Sequence, residues 1–319
     1  MSRLNPRQKE AVDYIGGPLL VLAGAGSGKT SVITRKIAYL VNQCGVSARN
    51  IAAVTFTNKA SREMKERVSS LLPAGSGKGL TVSTFHNLGM TIIRREYKVL
   101  GFKPGFSIFD DQDSKALLKD LMLQNNEDSD QVDSVRNEIS NWKNEMLSPD
   151  EALALAKGPQ DILAARAYDA YEQHLRAYNA VDFDDLILIP VRLFDQKPDV
   201  LDRWQNRIRY LLVDEYQDTN LSQYRLVKQL VGMRGALTVV GDDDQSIYAW
   251  RGARPENLIQ LNEDFPSLKI VKLEQNYRST SRILKAANTL ISNNPHVFEK
   301  TLWSEMGMGD PIRVIHNRN

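Results

Sequence analysis

Short apolar runs alternate with amphipathic stretches along much of the chain, and this pattern predicts strands that are separated by helices. Helical periodicity is clear at residues 29–42 and 58–72. The apolar runs that predict strands lie at residues 18–22, 51–56, 80–83, 210–213, 237–240 and 269–271. Strands and helices that alternate in this way form a parallel sheet covered by helices. The pattern therefore predicts an α/β fold.

The sheet pattern is interrupted between His86 and Val181, where the chain contains only amphipathic helical stretches. Trp142 and Tyr168 lie at positions that suit a helical core. We therefore expect an all-helical subdomain inserted into the α/β domain. The predicted first domain comprises residues 1–86 and 183–276, and the predicted insertion comprises residues 87–182.

The last stretch, residues 277–319, contains one predicted helix at 281–291 and one predicted strand at 312–315. Roughly 40 residues bury too little surface to fold alone. We expect this stretch to be the truncated start of a second domain, and the chain to be a fragment of a longer protein. The alternative is a C-terminal extension that packs on the first domain.

A glycine-rich loop follows the first predicted strand and leads into the helix at 29–42. Its backbone can curl around a β-phosphate, and the free N–H groups at the start of the helix suit an anion. Lys29 can neutralise the β- and γ-phosphates, and the hydroxyl of Thr30 can bind Mg²⁺. This order of elements favours a nucleoside triphosphate site over an ordinary turn. The loop consists of Ala23, Gly24, Ala25, Gly26, Ser27, Gly28, Lys29 and Thr30.

Two acidic residues follow the predicted strand at 210–213. At the carboxyl end of a strand, Asp214 can hold the shell of a bound Mg²⁺, and Glu215 can take a proton from an attacking water. The alternative is that acids in this region cap the next helix, a part that Asp218 and Thr219 could play. Beside a phosphate loop, the pair favours hydrolysis of the triphosphate.

Composition and charge narrow the class of protein. There is no apolar run near membrane-spanning length and no signal-peptide pattern. The single cysteine, Cys44, excludes an internal disulfide, and the four histidines have no metal-ligand spacing. We therefore expect a cytoplasmic protein without a membrane partner. Residues 58–103 carry nine Lys and Arg against three Glu, which fits an anionic polymer as the partner, although a solvated helix face is the alternative explanation.

Aromatic and polar residues at the ends of predicted strands could bind a strand of bases. Gln245, Tyr248 and Trp250 follow the strand at 237–240, and Gln245 is placed to sense a γ-phosphate. Aromatic faces stack on any base, which is worth about 1–3 kcal/mol per base. Ligands of open parallel sheets gather at this edge. Further candidates are Phe56 and Phe183 for bases, and Asn58, Ser83, Thr84 and His86 for phosphates.

Seven segments of the chain, taken in sequence order, resemble the motifs of the UvrD/Rep family of superfamily 1 DNA helicases. The resemblance covers the whole chain, and the family also has alanine at the position of Ala23. It implies two RecA-like P-loop domains that clamp ATP, and 3′ to 5′ movement along single-stranded DNA with unwinding of duplexes in replication and repair. The segments that carry the resemblance are residues 4–8, 23–30, 55–60, 83–86, 213–218, 241–253 and 275–279.

The resemblance also implies roles for individual residues. Gln8 would read adenine, Tyr277 would stack on adenine, and Arg278 would reach the γ-phosphate. Ser31 stands where close relatives tend to carry an adenine-stacking Arg, so the resemblance assigns no stacking on that side. It implies catalytic roles for Lys29, Asp214, Glu215, Gln245 and Arg278, Mg²⁺ binding by Thr30 and Asp214, and DNA binding by Phe56, Tyr248, Trp250 and Arg251.

The leading interpretation is the N-terminal part of an ATP-dependent DNA helicase, with ATP and Mg²⁺ as cofactors. Its expected partners are single-stranded DNA and single-strand/double-strand junctions, while the oligomeric state and any replication or repair proteins stay open. This part alone is expected to bind nucleotide weakly, and neither to unwind DNA nor to turn over ATP appreciably.

Three other interpretations predict different observations. The motor portion of a helicase–nuclease would be distinguished by a nuclease domain elsewhere in the longer protein. A nucleotide-gated module that binds single-stranded DNA would keep its role after Glu215→Gln. A small-molecule kinase is disfavoured, because nothing in the sequence indicates a second substrate pocket.

Overall fold

The computed structural model describes residues 4–249, 252–294 and 298–315. The strands in these residues are β1 (Leu19–Ala23), β2 (Ile51–Thr55), β3 (Thr81–Thr84), β4 (Ser107–Phe109), β5 (Ala180–Asp182), β6 (Tyr210–Val213), β7 (Leu237–Gly241) and β8 (Lys269–Leu273). The helices are α1 (Pro6–Asp13), α2 (Lys29–Asn42), α3 (Asn58–Leu71), α4 (Phe85–Glu96), α5 (Asp111–Gln124), α6 (Val132–Asn144), α7 (Pro149–Leu155), α8 (Pro159–Ala177), α9 (Asp185–Gln196), α10 (Pro198–Arg207), α11 (Leu221–Val231), α12 (Asn257–Asp264) and α13 (Ser281–Ile291). Within the described ranges, every helix is too short or too polar to span a lipid bilayer.

Six strands form one parallel sheet in the order β3–β2–β6–β7–β1–β8. The strand before the phosphate loop, β1, is paired on both sides, with Leu20 opposite Val239 of β7 and Ile270 of β8. Because the strands are parallel, their carboxyl ends meet at one edge of the sheet. The predicted α/β fold and all six predicted sheet strands are confirmed, with strand ends shifted by at most two residues.

Each face of the sheet carries its own hydrophobic core, because successive strand residues point to opposite faces. Leu20 and Leu22 of β1 belong to the core that is covered by α4, α9, α10 and α11. Leu19 and Val21 belong to the core that is covered by α1, α2 and α3. Since β1 is buried along its whole length, the loop that follows it starts from a fixed point.

Helices α5 to α8 form a separate core, as predicted for the insertion. Trp142 and Tyr168 lie in this core and stack with their ring centroids 6.1 Å apart. The expectation that only helices occupy this stretch is wrong, because β4 pairs with β5 in a two-stranded parallel sheet. Each of these strands has only three residues, too few to produce an alternating pattern. The domain boundaries given above stay predictions.

Beyond β8, the described chain contains α13, whose bounds match the predicted helix, and a returning segment, residues 298–303. The returning segment runs beside the end of β8, where Trp303 forms a parallel bridge with Gln275. The strand predicted at 312–315 is wrong, since these residues are exposed and have no regular structure. A strand needs a neighbouring strand for its backbone hydrogen bonds, and none pairs with this stretch in the described part of the chain.

Helix α1 is attached to the phosphate-loop helix through Lys36 of α2. The ammonium of Lys36 donates to the carbonyl oxygen of Ala11 at 2.9 Å and to that of Tyr14. These carbonyls belong to the C-terminal end of α1, where a cation is favourable. Burial lowers the pKa of Lys36 to about 8.

A second buried lysine joins the helical core to the sheet domain. The ammonium of Lys143 in α6 lies 2.6 Å from Glu172, 2.8 Å from Asp182 and 2.9 Å from Asp185. Burial alone would lower the pKa of Lys143, but the three carboxylates hold it well above its usual value. The position of α6 relative to β5 and α9 therefore depends on this ion cluster.

We expect Lys143→Met to destabilise the chain by about 3–5 kcal/mol, because it leaves buried carboxylates without their counter-ion. The control is Lys115→Met, which removes an exposed ion pair with Asp133 on the surface of the same helical subdomain and should cost much less stability. Chemical denaturation at pH 7 measures both values. Equal losses of stability would contradict the role assigned to the buried cluster.

Candidate functional site

The candidate residues follow five adjacent strands of the sheet. The phosphate loop follows β1, Asp214 follows β6, and the turn that contains Gln245 follows β7. Phe56 follows β2, and Thr84 ends β3. Since these strands are parallel neighbours, the candidates share the carboxyl edge of the sheet.

The phosphate loop turns into α2 at Gly28, whose φ of +87° lies in the left-handed region. A Cβ at this position would also lie 2.8 Å from Nε2 of Gln8, so only glycine fits. No side-chain hydrogen bond caps α2 within the described ranges. The N–H groups at its start therefore suit a phosphate, as the sequence predicts.

Gln8 lies directly against the phosphate loop. Its Nε2 donates to the carbonyl oxygen of Ser27 at 2.9 Å, and its Oε1 accepts from the N–H of Asn5 at 3.0 Å. The second bond belongs to a capping box that begins α1. Gln8 therefore fixes α1 to the loop, a task that the sequence did not predict, and its contact with adenine stays a prediction.

Lys29 reaches from the phosphate loop to the ends of β6 and β7. Its Nζ donates to Oε2 of Glu215 at 3.0 Å and to Oε1 of Gln245 at 3.3 Å. Glu215 is 186 positions away along the chain, and Gln245 is 216 positions away. The strand order therefore brings together the predicted phosphate cation, the predicted base and the predicted γ-phosphate sensor.

Glu215 is held in an unusual backbone conformation by its neighbours. Its φ of +50° and ψ of +45° lie in the left-handed region, which is rare for a residue other than glycine. Nε2 of Gln217 donates to Oε2 of Glu215 at 2.9 Å. Oε1 of Gln217 accepts from the N–H of Asp242 at 3.0 Å. Gln217, which the sequence analysis did not assign, thus orients Glu215, and its place inside the segment 213–218 was the available signal.

Two further carboxylates lie beside Glu215. Burial, and then the charge of Glu215, raise the pKa of Asp214 to about 6 and the pKa of Asp218 to about 6. Oδ1 of Asp218 is buried and accepts no hydrogen bond in the part of the chain that the structure describes. A divalent cation would relieve this crowding of negative charge. The residues at this site therefore fit the Mg²⁺ that the sequence predicts.

The alternative that Asp218 or Thr219 caps the following helix is wrong. Asn220 caps α11, and its Oδ1 accepts from the N–H of Gln223 at 2.9 Å. The side chain of Gln223 accepts in return from the N–H of Asn220 at 3.1 Å, which completes a capping box.

The residues after β8 lie on the phosphate loop. Nδ2 of Asn276 donates to the carbonyl oxygen of Ala25 at 2.5 Å, and the N–H of Tyr277 donates to that of Gly26 at 2.9 Å. Oδ1 of Asn276 accepts from the N–H of Arg278 at 2.8 Å. Tyr277 and Arg278 thus lie next to the loop, and their contacts with adenine and the γ-phosphate stay predictions. Asn276 was not among the candidates, although it lies inside the segment 275–279.

The candidate base-stacking residues differ in exposure. Phe183 is 48% exposed and Tyr248 is 37% exposed. Phe56 is half-buried and packs edge-on against Phe85, with ring centroids 5.4 Å apart. The accessible rings of Phe183 and Tyr248 agree with the predicted stacking. Two candidates lie outside the described residues: Trp250 and Arg251.

Two of the candidate phosphate contacts, Thr84 and Asn58, already accept hydrogen bonds from within the protein. Thr84 caps α4 by accepting from the N–H of Asn87 at 3.2 Å, and Oδ1 of Asn58 accepts from the side chain of Asn87 at 3.1 Å. Burial lowers the pKa of His86, so its ring is neutral at pH 7. Oγ of Ser83 is buried without a hydrogen-bond partner among the described residues. Ser83 therefore has the clearest unmet hydrogen-bonding capacity of this group.

Known proteins are similar to this chain over almost its whole length. The UvrD/REP helicase N-terminal domain matches residues 4–266, and the UvrD-like helicase C-terminal domain matches residues 271–319. The chain is 60% identical to the ATP-dependent DNA helicase Rep of Escherichia coli (strain K12) over 318 residues, and 46% identical to the ATP-dependent DNA helicase PcrA of Bacillus subtilis (strain 168) over 321 residues. These matches cover 99% and 100% of this chain, but 47% and 43% of the two relatives. The chain thus spans about half the length of the relatives that it matches.

We expect Asp214→Asn to stabilise the nucleotide-free chain above pH 7 by about 2–3 kcal/mol. The folded pKa of about 6 exceeds the unfolded value of 3.8, so ionisation of Asp214 disfavours folding as the pH rises through this range. The gain should fall by about half at pH 5, where the folded carboxyl is largely protonated. Asn keeps the Oδ1 that accepts from the N–H of Glu215. Denaturant titrations at pH 5 and pH 8 measure the difference.

The control for this prediction is Asp264→Asn. Hydrogen bonds from Lys228 and Tyr224 outweigh burial and lower the pKa of Asp264. Its ionised form therefore stabilises the fold, and the stability that it contributes is present above the unfolded pKa and lost as the pH falls. Asp264→Asn should destabilise the chain at pH 8. Destabilisation by both substitutions at pH 8 would contradict the assignment of Asp214 as an unfavourable buried charge.

Proposed function

The chain belongs to the UvrD/REP helicase family, and we propose that it is part of a DNA helicase that hydrolyses ATP to move along single-stranded DNA. The observation that carries this proposal is the contact of Lys29 with both Glu215 and Gln245 at the carboxyl edge of the sheet. One ammonium there touches a general base and a polar sensor, the parts that triphosphate hydrolysis needs. The relatives Rep and PcrA, both named ATP-dependent DNA helicases, agree with it.

In this proposal, the phosphates bind at the start of α2 and at Lys29, in the loop from Ala23 to Thr30. Glu215 is the general base for the attacking water, and the hydrogen bond from Gln217 aims its carboxylate. Gln245 senses the γ-phosphate through its contact with Lys29. Arg278 reaches the γ-phosphate from the segment that lies on the loop.

Adenine is proposed to bind between Gln8 and Tyr277. The Gln8 amide has two N–H groups and two lone pairs, and the described contacts use one of each. The remaining N–H and lone pair match the hydrogen-bonding edge of adenine. Tyr277 is 49% exposed, which leaves a ring face for stacking.

Thr30 and Asp214 are proposed to hold Mg²⁺, with Asp218 beside them. When bound, the ion would neutralise charge on the phosphates during hydrolysis. Asp214 binds the ion only in its ionised form, so its raised pKa of about 6 makes nucleotide binding weaker in acid.

Single-stranded DNA is proposed to bind along the same edge. Bases would stack on Phe56, Phe183, Tyr248 and Trp250, while phosphates would contact Asn58, Ser83, Thr84, His86 and Arg251. The exposed rings of Phe183 and Tyr248, and the unpartnered hydroxyl of Ser83 among the described residues, support this path. Because His86 is neutral, it would donate a hydrogen bond rather than contribute a charge.

Properties of the whole protein are proposed from the family resemblance. They are movement from 3′ to 5′, unwinding at single-strand/double-strand junctions in replication or repair, and a cytoplasmic location. The single cysteine agrees with a reducing compartment.

We expect Glu215→Gln to bind an ATP analogue at least as tightly as the unchanged chain. The substitution removes a negative charge that pairs with Lys29 and faces the γ-phosphate. Lys29→Ala should weaken binding about tenfold or more, because it removes the cation from the phosphate site. Titration with a fluorescent ATP analogue in the presence of Mg²⁺ measures both. Weaker binding by Glu215→Gln than by Lys29→Ala would contradict the proposed site.

The same substitution separates a motor from a binding module. In the intact protein, Glu215→Gln should lower ATP hydrolysis stimulated by single-stranded DNA by about 10²–10⁴-fold, since it removes the general base. Unwinding should be lost with it. If the biological role survives this substitution, the protein is a nucleotide-gated binding module.

Tyr248→Ala should weaken binding of oligothymidine about 5- to 150-fold, which corresponds to one lost base-stacking contact. The control is Tyr178→Ala, which truncates another exposed tyrosine that follows α8 rather than a sheet strand. Fluorescence anisotropy at fixed salt measures the affinity, and a change of oligonucleotide sequence should leave the loss unaltered. Equal affinities of the two variants would refute the base-stacking role assigned to Tyr248.

A further inference from the structure

An acidic turn follows β7 at the carboxyl edge of the sheet. It consists of three consecutive aspartates, Asp242, Asp243 and Asp244. One carboxylate oxygen from each lies within 4.8 Å of the others. Carboxylates this close repel one another unless a cation lies among them.

Lys300 of the returning segment supplies that cation. Its Nζ lies 2.7 Å from Asp242, 2.6 Å from Asp243 and 2.7 Å from Asp244, and its side chain is only 4% exposed. Burial alone would lower the pKa of Lys300, but the hydrogen bonds that it donates to the three aspartates hold its pKa well above the usual value. The lysine therefore stays charged at neutral pH and takes the place that a metal ion would otherwise take.

The acidic turn is connected to the phosphate site through Asp242. Oδ2 of Asp242 accepts from Nε2 of Gln245, whose Oε1 accepts from Nζ of Lys29 at 3.3 Å. The N–H of Asp242 donates to Gln217, which in turn donates to Glu215. A shift of Asp242 would therefore move both the proposed γ-phosphate sensor and the support of the proposed general base.

The returning segment also contacts the phosphate loop and α13. A Cβ on Gly24 would lie 2.2 Å from Cδ2 of Leu302, so Leu302 packs closely on the loop. The backbone of Leu302 is bonded in both directions by the side chain of Asn288 in α13. The same segment thus joins α13 to the phosphate loop and to the acidic turn.

We propose that Lys300 is a positioning residue for ATP recognition. By neutralising the three aspartates, it keeps Asp242 in place to hold Gln245 against Lys29, where Gln245 distinguishes ATP from ADP. Lys300 acts through Asp242 and Gln245 rather than on the nucleotide itself. The inference rests on the proposed function and extends it to a residue outside the phosphate loop. An ion pair that only fastened the returning segment would change the affinities for ATP and ADP alike.

The test compares the affinities of the chain for a non-hydrolysable ATP analogue and for ADP, both with Mg²⁺. Lys300→Met should lower the ratio of these affinities about fivefold or more and leave the ADP affinity nearly unchanged. Lys300→Arg, which keeps the charge, should retain the ratio. The matched control is Lys272→Met, because Lys272 donates to the carbonyl oxygen of Glu299 in the same segment. An unchanged ratio in Lys300→Met, or an equal fall in Lys272→Met, would overturn the proposal.

A second measurement does not depend on nucleotide. The N–H of Gln245 donates to the carbonyl oxygen of Asp242 at 2.9 Å, so its hydrogen exchange reports the order of the turn. Lys300→Met should speed this exchange in the free chain, and Lys272→Met should not. If no variant binds nucleotide, the proposed function fails, but unchanged exchange would still overturn the role of Lys300, and faster exchange would support it.

A third variant covers the case in which Lys300→Met does not fold. Lys300→Met combined with Asp243→Asn and Asp244→Asn removes the excess charge together with its counter-ion. If Lys300 acts by neutralising these carboxylates, the combined variant should fold and recover most of the ATP-to-ADP ratio. A combined variant that folds but discriminates no better than Lys300→Met would overturn the proposal.

Discussion

The contacts of the Lys29 ammonium hold together the candidate site at the carboxyl edge of the sheet. The sheet order brings the ends of β6 and β7 next to the end of β1, and the buried length of β1 fixes where the loop begins. Lys29 can then reach Glu215 and Gln245 at once, although both lie far away along the chain. A different strand order would leave the same motifs in the sequence without a common site.

The carboxyl edge of the sheet carries more negative charge than is favourable for the stability of the fold. The pKa values of Asp214 and Asp218 are raised, so their ionisation opposes folding near neutral pH. Lys29 and Lys300 each offset part of this charge from a different segment of the chain. If this edge binds a cation and phosphates as proposed, it is expected to be destabilised without them.

The sequence predicts the parts whose signals are local. The strands of four or five residues are confirmed, because apolar runs need no long-range information. The glycine-rich loop lies between β1 and α2 as its spacing predicts, while its binding of phosphate stays a prediction. Strands β4 and β5 were missed because three residues give no pattern. Gln217, Asn276 and Lys300 were missed because their roles depend on partners from other segments; Lys300 lies 57 positions from Asp243. Gln, Asn and Lys are common on exposed surfaces, so their residue types alone gave no signal of these contacts.

The proposed function requires Lys29 to exchange its carboxylate partner for phosphate at the carboxyl edge of the sheet. A crystal structure of the chain with Mg²⁺, an ATP analogue and oligothymidine measures this directly. We expect Lys29 on the β- and γ-phosphates, Gln245 beside the γ-phosphate and a base stacked on Tyr248. A structure in which the nucleotide binds elsewhere, or in which Lys29 stays paired with Glu215 while the nucleotide is bound, would contradict it.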